Sequence, residues 1–273
     1  MKVLKKIISA ILIGALLTMA VACKDSAKDD FSKETTADPS AETADSDIDI
    51  GSKTNGILVM GTNAFFPPFE YYEGEEIVGI DAELMQAIAD ELGVQLEIVN
   101  MEFESLPNAL SSGQIDVIAA GFTINPDRQE TMDFTTPYYN ATQTIIVLSD
   151  SGLATLDDIT DKVIGVQTGT TGYDCALEIT DESNISSFDN GMMAVEALKN
   201  GQVDAVIIDN NPAKTYEKEN PDDLMLIEGA FDEEQYAMAV VKGSTTLQDN
   251  INTALATIIE NGTYDEIIGK YVE

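Results

Sequence analysis

The sequence has no histidine and no tryptophan, one arginine, two cysteines, and 14 basic residues against 49 acidic ones. Each shortage removes a class of activity. Without histidine there is no imidazole general base, no Ser-His-Asp or Cys-His nucleophile system and no histidine-ligated zinc. With cysteine only at 23 and 175, the chain holds no CxxC metal or redox pair and no intrachain disulfide framework. A formal net charge of −35 repels a phosphate backbone and excludes nucleic acid as a partner. What is present describes a folded protein: 44% hydrophobic and 23% charged residues over 273 positions.

Lys2, Lys5 and Lys6 precede an apolar run over residues 7–22, shorter than the ~20 residues of a spanning helix. This pattern predicts a signal peptide over 1–22. The run ends Ala20-Val21-Ala22-Cys23, which resembles the lipobox of bacterial lipoproteins, although Ala20 stands where that motif usually carries Leu. The resemblance implies a lipid anchor at Cys23 and an extracytoplasmic location on the cell membrane. The alternative is an ordinary secretory signal with a chance cysteine. The expected tether, 23–54, is mostly Asp, Glu, Ser, Thr, Ala and Lys, too poor in apolar groups to offset its chain entropy. Its surplus of acid continues into the remainder, where solubility is sufficient reason for it.

From residue 57 the pattern alternates. Compact apolar runs predict strands at 57–62, 96–99, 115–120, 144–148, 163–167, 205–208 and 237–241. Apolar residues at helical spacing predict helices at 82–92, 106–110, 173–179, 192–198, 247–260 and 264–272. Alternation of this kind predicts an α/β fold with largely parallel sheets. One stretch occurs twice. Ala109-Leu110-Ser111-Ser112-Gly113-Gln114-Ile115-Asp116 leads into an apolar run ending at Gly121. Ala197-Leu198-Lys199-Asn200-Gly201-Gln202-Val203-Asp204 leads into another ending at Asp209. Convergence of helix–Gly–strand turns would explain it; the reading adopted here is two related α/β lobes. Ligands of open α/β sheets sit beyond the carboxyl ends of the strands, so Gly121-Phe122-Thr123 and Asp209 mark the expected site.

Arg128 follows Thr123 by five residues, and a guanidinium pairs with a carboxylate bidentately as an ammonium cannot. The run Gln167-Thr168-Gly169-Thr170-Thr171 enters a predicted helix, where N–H groups and hydroxyls would face an anion. Capping alone would equally explain those threonines. The run lacks a P-loop lysine, which argues against a nucleotide. Asn211 is the expected cap of a helix with Pro212 at its first turn, leaving Asp209 to accept from a cation. A fork for a carboxylate beside an acceptor for an ammonium describes an α-amino acid. Phe65, Phe66 and Phe69 offer aromatic walls, with Phe69 or its neighbours in the core. Cys175 reads as a small buried apolar group.

The segments Thr62-Asn63-Ala64-Phe65-Phe66-Pro67-Pro68-Phe69-Glu70-Tyr71, Gly79-Ile80-Asp81-Ala82-Glu83-Leu84 and Gly121-Phe122-Thr123-Ile124-Asn125-Pro126-Asp127-Arg128 carry a family resemblance. With Asp133-Phe134-Thr135-Thr136-Pro137-Tyr138-Tyr139, Gly169-Thr170-Thr171 and Glu260-Asn261-Gly262-Thr263-Tyr264 they resemble the family 3 solute-binding proteins, polar-amino-acid receptors of bacterial ABC importers. The resemblance spans 55–273. It implies a two-lobed periplasmic-binding-protein-like (type II) fold, with lobe 1 at 55–142 plus 234–273 and lobe 2 at 143–233. Two hinge strands, near 140–143 and 233–236, would join them. It further implies a monomer that needs no cofactor or metal, performs no catalysis and delivers its ligand to a membrane permease.

By the same resemblance Arg128, Thr123 and the Thr170 and Thr171 amides hold the α-carboxylate, while Asp209 and the Gly121 carbonyl hold the ammonium. Asn63, Phe66, Phe103 and Gln167 line the side-chain pocket, with Ile208 nearby. Asn63 stands where many members carry Asp, and Ala82 where a larger aliphatic residue is usual. Neutral Asn63 and Gln167 point to a polar uncharged side chain; Glu70 and Asp81 leave a cationic one open. A dehydratase of cyclohexadienyl acids on the same fold, and an amino-acid sensor, remain alternatives.

Overall fold

The computed structural model describes residues 49–53 and 56–272, so the expected signal peptide, Cys23 and most of the expected tether lie outside the described residues. The chain runs from β1 (Ile57–Thr62) through a small antiparallel flap, β2 (Phe65–Phe66), β3 (Glu70–Glu73) and β4 (Glu76–Val78), into α1 (Ile80–Leu92). β5 (Gln95–Asn100), α2 (Leu106–Ser112), β6 (Val117–Ile118), α3 (Pro126–Thr131) and β7 (Met132–Phe134) follow. The long β8 (Tyr139–Leu148) then crosses into the second lobe. There lie β9 (Ile164–Gln167), α4 (Thr171–Ile179), β10 (Ile185–Phe188), α5 (Gly191–Lys199), β11 (Ala205–Asp209), α6 (Asn210–Glu219) and β12 (Leu224–Ile227). β13 (Glu233–Tyr236) pairs with the first half of β8, and β14 (Ala239–Val241), α7 (Thr245–Glu260) and α8 (Thr263–Tyr271) close the chain.

Two sheets result, with strand orders β5-β1-β6-β14-β7 and β10-β9-β11-β8-β12. Each is mixed. Four of its five strands run the same way, as the expectation of largely parallel sheets had it, and one, β14 in the first sheet and β8 in the second, runs against both of its neighbours. The reversed strands are the ones tied to the crossings between lobes: β8 enters the second lobe, where β11 later pairs against it, and β14 returns to the first lobe beside β6.

The repeated stretch folds the same way twice. Gly113 and Gly201 end α2 and α5 with φ of 73° and 68°, left-handed values natural to glycine. Gln114 N–H then donates to Ala109 O and Gln202 N–H to Ala197 O, both at 2.9 Å. The aspartates match too. Asp116 N–H donates to Val59 O at 2.8 Å while its carboxylate accepts from Val59 N–H at 3.0 Å. Asp204 makes the same pair with Val163, at 2.7 and 2.9 Å. Each aspartate thus pins its strand to the first strand of its own lobe. The regular strand β6 is shorter than the expected 115–120, because Asp116 pairs through its side chain and Gly121 turns away toward Asp81.

α1 starts at Ile80, two residues before its expected start, since main-chain carbonyls cap it. Ile80 N–H donates to Pro68 O and Asp81 N–H to Phe69 O, at 3.0 and 2.9 Å. Gly79 makes that approach possible with φ 123°; a Cβ there would stand 2.3 Å from Phe69 O. Gly79→Ala is therefore expected to lower stability by about 2 kcal/mol, read as the midpoint of urea unfolding. Leu84, Met85 and Ile88 of α1 pack in the core with Leu247, Ile251, Leu255 and Ile258 of α7, each buried side chain contributing ~1.5–3 kcal/mol.

Two segments depart from expectation. Ile50, placed in the tether, is 2% exposed within this core, and Asn250 donates to its carbonyl at 3.2 Å. The folded part therefore begins before residue 55, because one isoleucine suffices to anchor a polar segment to the core. Asn211 does not cap α6: the helix begins at Asn210 with Asp209 at the cap position, and Asn211 Nδ2 donates to Tyr139 Oη at 2.7 Å. Between the lobes, Phe69 packs edge-on against Tyr139 and Tyr236 at 5.0 and 5.1 Å, carrying the core through the crossing strands.

Candidate functional site

The carboxyl ends of β1, β6, β9 and β11 converge on one small cavity. All ten residues expected from the sequence border it: Asn63, Phe66, Phe103, Gly121, Thr123 and Arg128 from one lobe, Gln167, Thr170, Thr171 and Asp209 from the other. Ala120 and Glu70 complete the lining. The lobes are in contact across it. Gln167 Nε2 donates to Asn63 Oδ1 at 3.0 Å, an Arg128 terminal nitrogen to Gly169 O at 3.0 Å, and Tyr216 Oη to Phe65 O at 3.3 Å.

Arg128 is placed by Asn125, whose side chain caps α3 by accepting Arg128 N–H at 2.8 Å. The guanidinium carbon lies 4.0 Å from the Phe122 ring centre and 5.6 Å from that of Phe103, close enough for cation–π attraction. Its other terminal nitrogen donates to Thr123 O at 2.6 Å. Burial between the rings pushes its pKa down to about 10, against the opposing pull of Asp174, Glu234 and Asp209. A guanidinium has five N–H donors, so donors beyond these two carbonyl contacts remain for an anion.

The threonines at the start of α4 are not the hydroxyl donors the sequence suggested. Thr170 Oγ1 donates to Gln167 O at 2.8 Å and Thr171 Oγ1 to Glu234 Oε2 at 2.9 Å. Their hydroxyl protons are committed, which leaves the backbone N–H groups of the helix start to face an anion. The carboxamides are committed as well. Asn63 Nδ2 donates to Met101 O at 2.8 Å and its oxygen receives Gln167, while Gln167 Nε2 also reaches Asp189 O at 3.1 Å.

Three buried carboxyl groups surround this pair of walls. Asp209 accepts from Tyr236 Oη at 2.5 Å; burial first, and then the charge of Glu234, push its pKa up to about 7. Asp81 is wholly buried and does not line the cavity. Its oxygens accept from Gly121 N–H and Tyr138 Oη, both at 2.7 Å, so it brackets the turn that presents Gly121, and burial pushes it to about 6. Glu70 is 1% exposed, lines the cavity, and has no hydrogen-bond donor to either oxygen among the described residues. Burial, then the charge of Asp81 and a hydrogen bond with its carboxylate, and then the charge of Asp209 hold its pKa well above the usual carboxylate range. Ile208 is buried in the core and does not border the cavity, and Cys175 is half-buried with its thiol pushed up to about 12 by burial.

Glu70 was visible in the sequence only as a residue that could approach the site. Glu234, Gln143 and Tyr236, which hold the wall in place, carried no local signal. Among the described residues no group of His, Cys, Asp and Glu is arranged to hold a metal ion, and no helix is long and apolar enough to cross a membrane.

The sequence profile of the bacterial extracellular solute-binding proteins, family 3, matches residues 58–273. The arginine-binding extracellular protein ArtP of Bacillus subtilis is 36% identical over 218 residues, covering 78% of this chain and 85% of that protein. The glutamine-binding protein GlnH of the same organism, from an ABC transporter, is 31% identical over 278 residues, 99% of this chain and 98% of its own length. Among solved structures, the arginine-, lysine-, histidine-binding protein ArtJ of Geobacillus stearothermophilus superposes with a TM-score of 0.76 at 37% identity. That match covers 79% of this chain and 94% of ArtJ.

Proposed function

The chain belongs to the bacterial extracellular solute-binding proteins of family 3, and from that premise we propose that it captures an amino acid with a cationic side chain. Its two lobes close on the ligand, and the closed complex docks on the permease of an ABC importer. The carrying observation is Glu70. Burial and the charge of Asp81 keep this carboxyl protonated toward Asp81 in the ligand-free chain, with no donor from the described residues to its oxygens; an arriving guanidinium or ammonium replaces that proton and supplies the donors. Phe66 and Phe103 border the same cavity and offer ring faces to a flat cation.

The neutral pair Asn63 and Gln167 had pointed instead to a polar uncharged side chain. Their amide groups bond each other and main-chain carbonyls, so they serve as a clasp between lobes more than as ligand readers. The likeness to arginine-binding ArtP and to ArtJ agrees with a cation, and the likeness to GlnH keeps glutamine as the competitor. In this reading Arg128 and the amides of α4 hold the α-carboxylate, and Asp209 with Gly121 O holds the α-ammonium. Binding, not turnover, is the activity: prephenate and arogenate are expected to pass unchanged. Cys23 would carry the lipid that keeps the receptor near its permease.

The test is the melting temperature of the full chain, stripped of bound ligand, with arginine, lysine, ornithine, histidine, glutamine and cystine. Arginine or lysine is expected to raise it most. A rise with glutamine alone would overturn the cationic reading while leaving an amino-acid receptor; no rise with any of them would overturn both. Glu70→Gln is expected to weaken arginine by about 10-fold and to spare glutamine, measured by titration calorimetry.

A further inference from the structure

The second crossing strand carries a carboxylate to which this reading gives no role. Glu234, on β13 opposite Ala141 of β8, is half-buried. Its Oε2 accepts from Thr123 Oγ1 at 3.1 Å, from Thr171 Oγ1 at 2.9 Å and from Gln143 Nε2 at 3.3 Å. Thr123 follows β6 in one lobe, Thr171 opens α4 in the other, and Gln143 lies on β8. One oxygen therefore gathers both lobes and both crossing strands. Both threonines border the cavity.

A hydroxyl has one proton to donate and two lone pairs. With its proton on Glu234, Thr123 Oγ1 meets any ligand as an acceptor only. Thr171 Oγ1 is occupied on both sides, since it also accepts from Gln143 Nε2 at 3.2 Å. An acceptor suits an ammonium and repels a carboxylate. The donors left for a carboxylate are then Arg128 and the backbone N–H groups at the start of α4.

We infer that Glu234 is a positioning residue that fixes which way round the amino acid binds. By taking the Thr123 proton it makes that oxygen an acceptor for the α-ammonium, alongside Asp209. The inference rests on the cavity being an α-amino-acid site, and it adds a determinant outside the residues that touch the ligand.

The test compares arginine with 5-guanidinopentanoate, which keeps the carboxylate and guanidinium but lacks the ammonium, by titration calorimetry on the full chain. Glu234→Ala is expected to weaken arginine about 10-fold and to leave 5-guanidinopentanoate nearly unchanged, so that the preference for the ammonium collapses. Glu234→Gln keeps an acceptor oxygen and is expected to retain most of that preference. Equal loss for both ligands would reduce Glu234 to a tie between strands and overturn the inference, as would no loss for either.

A double-mutant cycle with Thr123→Val, read on arginine alone, gives a second check that does not depend on the analogue. The two substitutions act through one proton and should be strongly non-additive; simple additivity overturns the inference. A wild-type chain that binds no α-amino acid sinks the proposed function itself, whereas binding with an unmoved preference sinks only the assignment of Glu234.

Discussion

Arg128→Lys should weaken amino-acid binding by about 100-fold or more, although the charge is kept. The guanidinium reaches Thr123 O on its own lobe and Gly169 O on the other while its face lies against Phe122. An ammonium is a point donor and cannot span these two carbonyls and a carboxylate together. The buried Thr123 carbonyl left unpaired costs about 1–3 kcal/mol, and the bidentate contact to the ligand is lost besides. The Gly169 contact crosses the cleft, so its loss weakens closure as well as capture. Micromolar affinity corresponds to about 8 kcal/mol, so removing roughly 3 kcal/mol leaves a dissociation constant of about 0.2 mM. Titration calorimetry checks this, and a dissociation constant within a few-fold of wild type would remove Arg128 from the carboxylate-binding role.

The second large effect is on pH, and it has opposite signs for binding and for stability. Asp209 must be ionised to hold an ammonium, but its pKa is raised to about 7 by burial and then by Glu234. The titratable groups in electrostatic reach of it are Glu234 and Tyr236 on β13, Arg128 on α3, Cys175 on α4 and Glu70 on β3. Below pH 7 binding must expel a proton, at about 10-fold in affinity per pH unit, so affinity should fall by about 100-fold between pH 7 and pH 5.

Stability of the ligand-free chain should move the other way. A carboxyl whose folded pKa lies above its unfolded value of about 3.9 binds its proton more tightly when folded. Its stabilisation is present at low pH and is lost as pH rises through about 7. Asp81, raised to about 6, adds to the same trend. The ligand-free chain should therefore melt higher at pH 5 than at pH 8, with the increment from arginine larger at pH 8. Asp209→Asn should make both profiles shallower, with Asp81 and Glu70, whose pKa values are raised too, supplying the slope that is left; unchanged profiles in that variant would place the titrating group elsewhere.

The repeated helix–Gly–strand stretch was legible because its causes are local. Gly113 and Gly201 take left-handed turns, and the aspartate three residues on pins the next strand, so the same letters produce the same hydrogen bonds in each lobe. Arg128 was legible for another reason: a lone guanidinium near a strand end has few other uses. What failed was reading a side chain's availability from its type. Thr170, Thr171, Asn63 and Gln167 all border the cavity, yet their donors are already bonded to partners from other segments.

The sequence by itself determined the excluded chemistries, the α/β alternation, the two-lobe repeat and the set of residues that meet at the cavity. These follow from composition, hydrophobic period and turn residues, each of which acts within a few positions of the chain. Only the tertiary structure decided which of those residues keep a free hydrogen-bonding face. Glu70 has no donor, Asp81 is fully bonded, and Glu234 draws protons from Thr123 and Thr171, which precede it by 111 and 63 residues. Hydrogen-bond satisfaction in a buried site is a count over neighbours in space, and no local pattern of letters records it.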